Sequence, residues 1–188
     1  MVIKDKALVQ CMKDAYKGGG YNIVKLPYGR TVIYTPFWMV QIDDANVPRE
    51  ALSLLALHMG FLPEENEAYK IFKGEKEPVV QKQIFDEAML TVQKMEACLP
   101  AQDGIGYQAK KTVLTFDGWN VWQKTAGLEV ILIDPMYERL FRKREKAVFA
   151  GNALYMQGSI SRAWVMRRTD GPEHQMEHLA QMQWVDIT

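Results

Sequence analysis

The sequence predicts an α+β fold of two similar halves, each running helix, strands, helix, strands, with antiparallel sheets. Three observations carry this. Thr31-Val32-Ile33, four residues, then Trp38-Met39-Val40 recurs 81 positions later as Thr112-Val113-Leu114, four residues, then Trp119-Asn120-Val121. Upstream of the first copy Ala7, Leu8, Cys11, Met12 and Ala15 fall at helical spacing, and Ala88, Met89, Val92 and Met95 do so upstream of the second, with Ala7 and Ala88 again 81 apart. Downstream, Pro48-Arg49-Glu50-Ala51-Leu52 and Asp134-Pro135-Met136-Tyr137-Glu138 each open a helical run with proline in its first turn, where the missing N–H costs nothing. The pattern fits an internal duplication. It predicts one half over residues 1–82, a second over 83–168, and an acidic tail over 169–188. Two copies are too few for a solenoid.

The elements follow in order. Residues 4–17 form an amphipathic helix stopped by Gly18-Gly19-Gly20, where glycine supplies a left-handed cap. Those glycines leave a helix for a strand, the reverse of a phosphate loop, and no Lys-Ser/Thr follows them. Residues 21–26 and 30–35 are rich in β-branched and aromatic side chains around Pro27-Tyr28-Gly29 and predict a hairpin, with a third strand over 37–42. The helix over 48–59 places Leu52, Leu55 and Met59 on one stripe and stops at Gly60, and weaker strands follow at 69–73 and 78–81. The second half begins with a helix over 83–99. Strands follow over 107–116, 119–124 and 128–133, with Asp117-Gly118 as a hairpin turn. A helix over 135–144 and strands over 147–150, 153–156 and 160–167 complete it.

At 188 residues, 48% of them apolar, the chain can bury a sizeable core. No apolar run approaches the roughly 18 residues of a membrane span, and the N-terminus lacks the apolar stretch of a secretory signal, so the expected setting is cytoplasmic with no membrane partner. Cys11 and Cys98 both fall among apolar neighbours in helical segments and read as small hydrophobes, not as a disulfide. The formal net charge is zero, yet residues 104–168 hold 11 Lys and Arg against 5 Asp and Glu, while 169–188 hold 4 acidic residues and no basic ones. The balance therefore conceals a basic segment and an acidic tail.

Chemistry-bearing residues are few. His174-Gln175-Met176-Glu177-His178 fits H-x-x-E-H, whose histidines four apart on a helix would share a face and bind a metal. A hydrolytic zinc also needs a third protein ligand, and only ten residues follow, so the plain reading is a polar terminal helix and no cofactor is expected. His58 sits beside Leu57 and Met59 in a helix and reads as a packed or surface histidine, not a general base. No Ser, Cys or Lys pairs with a His and a carboxylate, so no catalytic residue is assigned. Trp38, Trp119, Trp122 and Trp164 fall on strands and read as core, the other reading being a stacking platform for bases. Arg139-Leu140-Phe141-Arg142-Lys143-Arg144-Glu145-Lys146 is the densest basic run. As a helix it would turn Arg139, Arg142, Lys143 and Lys146 to one side and Leu140 and Phe141 inward, which suits phosphate contact without base reading. A solvated helix end with cations at its C-terminal dipole explains most of the same residues.

The order of elements over residues 83–168 resembles a domain of a DNA sliding clamp. Ile133-Asp134-Pro135-Met136-Tyr137 leading to Ser161-Arg162-Ala163-Trp164-Val165-Met166-Arg167 is similar to the last helix and terminal strand of bacterial clamp chains, although Arg167 stands where the family's closing V-M-P-x-R has proline. Residues 3–81 join by internal analogy. The resemblance implies a non-enzymatic ring whose helices face double-stranded DNA. Lys13, Lys94, Arg139, Arg142 and Lys143 become phosphate contacts, and four long helices per chain would make the ring a trimer. Two other readings follow from the residues: an enzyme, metal-dependent or otherwise, using the cleft between the halves, and a homo-oligomeric adaptor that binds protein.

Overall fold

The computed structural model describes residues 2–74, 79–80, 82–97, 108–126, 129–142, 147–150 and 152–169. The first half runs α1 (Asp5–Lys17), β1 (Tyr21–Leu26), β2 (Arg30–Tyr34), β3 (Trp38–Asp43), α2 (Arg49–Met59), β4 (Ala68–Ile71) and β5 (Val79–Val80). The second runs α3 (Lys82–Ala97), β6 (Gln108–Phe116), β7 (Trp119–Lys124), β8 (Val130–Ile133), α4 (Pro135–Glu138), β9 (Ala147–Ala150), β10 (Ala153–Gln157) and β11 (Ser161–Met166). The fold is α+β, with antiparallel pairing throughout these strands.

All eleven strands form one sheet in the order β5-β4-β1-β2-β3-β11-β10-β9-β6-β7-β8. The first half contributes β5-β4-β1-β2-β3, and β10-β9-β6-β7-β8 repeats that walk strand for strand. β11 has no counterpart among the described residues of the first half, and it joins the two, pairing with β3 through Gln41↔Arg162, Val40↔Ala163 and Met39↔Trp164. The N-terminus adds a second tie. Ile3 bridges Phe141, Lys4 N donates to Leu140 O at 2.9 Å, and Arg142 N donates to Val2 O at 2.8 Å.

The tryptophan motif itself does not mark equivalent positions. Trp38 opens β3, whereas Trp119 opens β7, which holds the place of β2 in the repeated walk. The drift precedes these strands: 3 residues separate α1 from β1 but 10 separate α3 from β6, so residue count and strand count fall out of step before β6 begins.

Side chains alternate across the strands, and this fixes which helix covers which face. Tyr21 and Ile23 of β1, Ile33, Trp38, Val40, Ala163 and Val165 point to the face covered by α1 and α2, where Leu8, Met12, Leu55, Trp122 and Leu140 join them in one core. Val24, Leu26, Val32, Met39, Tyr155 and Trp164 point to the other face, where α3 adds Ala88 and Val92. α3 thus lies on the far face, mainly against β1 and β4 of the first half, while Tyr155 and Trp164 of its own half join the same cluster. The clamp-like expectation of four long helices on one surface fails on two counts: α3 is on the far face, and α4 is a single turn. The helix count that made a trimer therefore does not hold.

α4 is shorter than its expected span over 135–144. Asp134 caps it by accepting from Met136 N at 2.7 Å. The helix ends at Glu138 because the backbone at 140–142 pairs with residues 2–4. Leu140 and Phe141 are buried, as a helix would also have placed them, but Arg139 and Arg142 follow the helix instead of lining its face, and residues 143–146 of the basic run lie outside the described residues. Two smaller differences concern glycine and rotation. Gly18 caps α1 without a left-handed conformation, and the positive φ falls on Gly20 at 86°. α2 buries Ala51, Leu54, Leu55 and Met59, with Leu52 only half-buried, because packing against α1 turns its stripe by about one residue. Asp117 and Gly118, by contrast, both adopt the positive φ that a two-residue hairpin requires. Trp38, Trp122 and Trp164 are buried core, and Trp119 is half-buried beneath the Arg168 guanidinium, 5.4 Å from its ring centroid.

Candidate nucleic-acid interface

The exposed side of α1 carries Lys6, Gln10, Lys13 and Lys17, at relative positions 0, 4, 7 and 11, which is one stripe of an α-helix. The buried side carries Ala7, Leu8, Cys11 and Met12. Amphipathicity alone therefore aims three ammonium groups at solvent along the 13-residue helix, about 10 Å and 6 Å apart along its axis. None of the three has a carboxylate partner among the described residues. Gln10 Nε2 donates to Asp14 Oδ1 at 2.8 Å, which ties the flanking acid to the helix itself.

Arg139 follows α4 on the same face, exposed, and close enough to α1 for its charge to oppose the upward shift of the Cys11 thiol. Arg142 is exposed as well, but its Nε donates to Ile3 O at 3.1 Å, so part of its guanidinium serves the N-terminal tie. Of the five phosphate candidates, Lys13, Arg139 and Arg142 thus share the α1 face. Lys94 is exposed on α3, on the opposite side of the sheet. Lys143 lies outside the described residues, as do His174 and His178. Lys13 comes from the clamp resemblance, whereas Lys6 and Lys17 are legible from helical spacing alone, four and seven residues from Gln10 on one stripe.

A cleft of about 430 Å³ opens between α1, β3 and α4, with Cys11, Asp14, Tyr21, Phe37, Lys70 and Tyr137 among its walls. Burial pushes the Cys11 thiol up to about 12, which removes the thiolate that nucleophilic chemistry would need. Phe37 and Tyr137 stack across the two halves with parallel rings, centroids 6.0 Å apart. His58 is elsewhere, stacked on Tyr16, and burial lowers its pKa. No group of three or more His, Cys, Asp or Glu is arranged to hold a metal among the described residues. No helix there is long and apolar enough to cross a membrane.

The chain matches no protein-family model and no curated protein. The solved structures it is similar to include three clamp chains. The DNA polymerase III β chain from Streptococcus pneumoniae is 8% identical, with 93% of this chain and 67% of that chain covered and a TM-score of 0.35. The DNA polymerase sliding clamp from Pseudomonas aeruginosa is 7% identical, with coverage of 93% and 66% and a TM-score of 0.33. The Helicobacter pylori β clamp is 9% identical, with coverage of 93% and 67% and a TM-score of 0.34. The likeness is one of outline. This chain spans about two thirds of the length of each clamp chain, and a match at this level does not carry the clamps' activity to it.

Proposed function

We propose that the protein is a non-enzymatic DNA-associated scaffold that holds double-stranded DNA by its phosphates on the α1 face. The observation that carries this reading is the solvent-facing stripe of Lys6, Lys13 and Lys17, with Arg139 beside it. Axial spacings of about 10 Å and 6 Å correspond to three and two nucleotides of rise on one strand, at about 3.4 Å each. Lysines of this kind neutralise phosphates without reading bases, so the binding is indifferent to sequence and sensitive to salt.

Fluorescence anisotropy with labelled duplexes of unrelated sequence tests it. Four phosphate contacts give a slope of log K against log salt of roughly −3 to −4. Lys6→Ala, Lys13→Ala and Lys17→Ala combined should remove most of that slope. Lys94→Ala, on the far face, should leave it unchanged. Absence of binding at low salt, or an equal effect from Lys94→Ala, would overturn the reading.

A further inference from the structure

On the α3 side of the sheet, at the seam between the halves, β2, β3 and the β10–β11 turn line an open pocket of about 350 Å³. Its walls carry Arg30, Gln41, Asp43, Gln157 and Arg162, and alternation turns all five to this face. Gln41 is only 3% exposed, yet its Oε1 accepts no hydrogen bond. An orphaned acceptor in a core is costly, and native folds keep few of them. Arg30 and Asp43 face each other across β2 and β3, which sets their Cα atoms about 5 Å apart, but no ion pair closes between them. Arg162 lies directly across from Gln41 and gives one guanidinium nitrogen to Glu96, keeping other N–H groups for a second partner.

The charges exclude simple ligands. A bare anion drawn to the two arginines would meet the Asp43 carboxylate and the Gln41 oxygen, and a bare cation would meet the arginines. A small molecule that carries an N–H cation beside an anionic group satisfies both walls. We propose that this pocket binds a zwitterion of the α-amino acid class, its ammonium on Gln41 Oε1 and Asp43 and its carboxylate on Arg30 and Arg162. The site exists only because β11 joins β3, so a ligand there would also fasten the two halves together.

The test is a thermal-shift screen of the full chain with each standard L-amino acid at millimolar concentration, followed by calorimetric titration of those that raise the melting temperature. At least one free amino acid should bind. Its N-acetyl and methyl-ester forms, each lacking one charge, should bind at least about tenfold more weakly. Gln41→Met should melt higher than wild type without ligand and bind at least about tenfold more weakly, because it removes the orphaned oxygen at similar volume. Asp43→Asn, at a half-exposed position, should weaken binding alike and carries the test should Gln41→Met fail to fold. The proposal is overturned by a screen without a binder, by blocked analogues that bind as tightly as the free acid, or by binding that Gln41→Met and Asp43→Asn leave unchanged.

Discussion

The Tyr21 hydroxyl lies 3.0 Å from Nδ1 of His58, and the His58 ring stacks on Tyr16 with centroids 3.7 Å apart. Burial pushes the Tyr21 hydroxyl well above the ordinary tyrosine range, so it keeps its proton and donates, which leaves Nδ1 as the acceptor and Nε2 protonated. Three side chains from α1, β1 and α2 thus meet around one neutral imidazole.

Protonating that imidazole should loosen the α1–α2 contact. The folded pKa of His58 is lowered from 6.5 by desolvation, so the unfolded chain binds the proton more readily. Stability from this group is therefore full above about 6.5 and is lost as pH falls toward the lower folded value. Urea midpoints measured across that window should fall with pH in the wild type and flatten in His58→Phe. An unchanged slope in His58→Phe would assign the dependence to other groups.

Glu138 holds α4 to the sheet. Its carboxylate accepts from Lys111 Nζ at 2.9 Å, from Trp122 Nε1 at 3.2 Å and from Asn120 Nδ2. Glu138→Ala leaves the buried donors of Asn120 and Trp122 without an acceptor and should cost about 3–5 kcal/mol in denaturant titration. Glu138→Gln, which still accepts, should cost less than half of that.

Gly20 is fixed by sterics as well as by conformation. Its φ is 86°, and a Cβ there would sit 2.6 Å from Ile71 O, a backbone atom that cannot step aside. Gly20→Ala should destabilise by about 1–3 kcal/mol. Gly19→Ala, with nothing within 4 Å, should stay within about 0.5 kcal/mol of wild type. Equal effects at the two positions would show that the turn, and not the contact with β4, limits substitution.

The N-terminal tie is expected to make the halves one folding unit. Val2 and Ile3 are fully buried, and Val2 N donates to Ser161 Oγ at 3.0 Å. Ile3→Ala should cost about 2–5 kcal/mol by opening a cavity between α1 and Phe141. Residues 1–82 and 83–168 expressed separately should each remain unfolded by circular dichroism and near-ultraviolet signals, since each would bare one edge of the β3–β11 seam. A cooperative transition from either half alone would show that the repeat boundary is also a folding boundary.

The local units were legible in the residues themselves. Periodicity placed α1, α2 and α3 to within a few residues. Turn chemistry placed the hairpins at Pro27-Tyr28-Gly29 and Asp117-Gly118, and β-branched runs placed the strands, because each depends on residues within about four positions of one another. The lysine stripe was legible for the same reason. Long-range pairing and packing set three further points: β11 pairs with β3, α3 crosses to the far face and takes Lys94 with it, and residues 2–4 cut α4 short. Backbone hydrogen bonds between segments more than 100 residues apart settle the first and the last, using groups that every residue carries, and side-chain packing against β1 and β4 settles α3, so no local pattern announces any of them. The orphaned oxygen of Gln41 belongs with them. A glutamine in a strand reads as solvent-facing until a strand about 120 positions away closes over it.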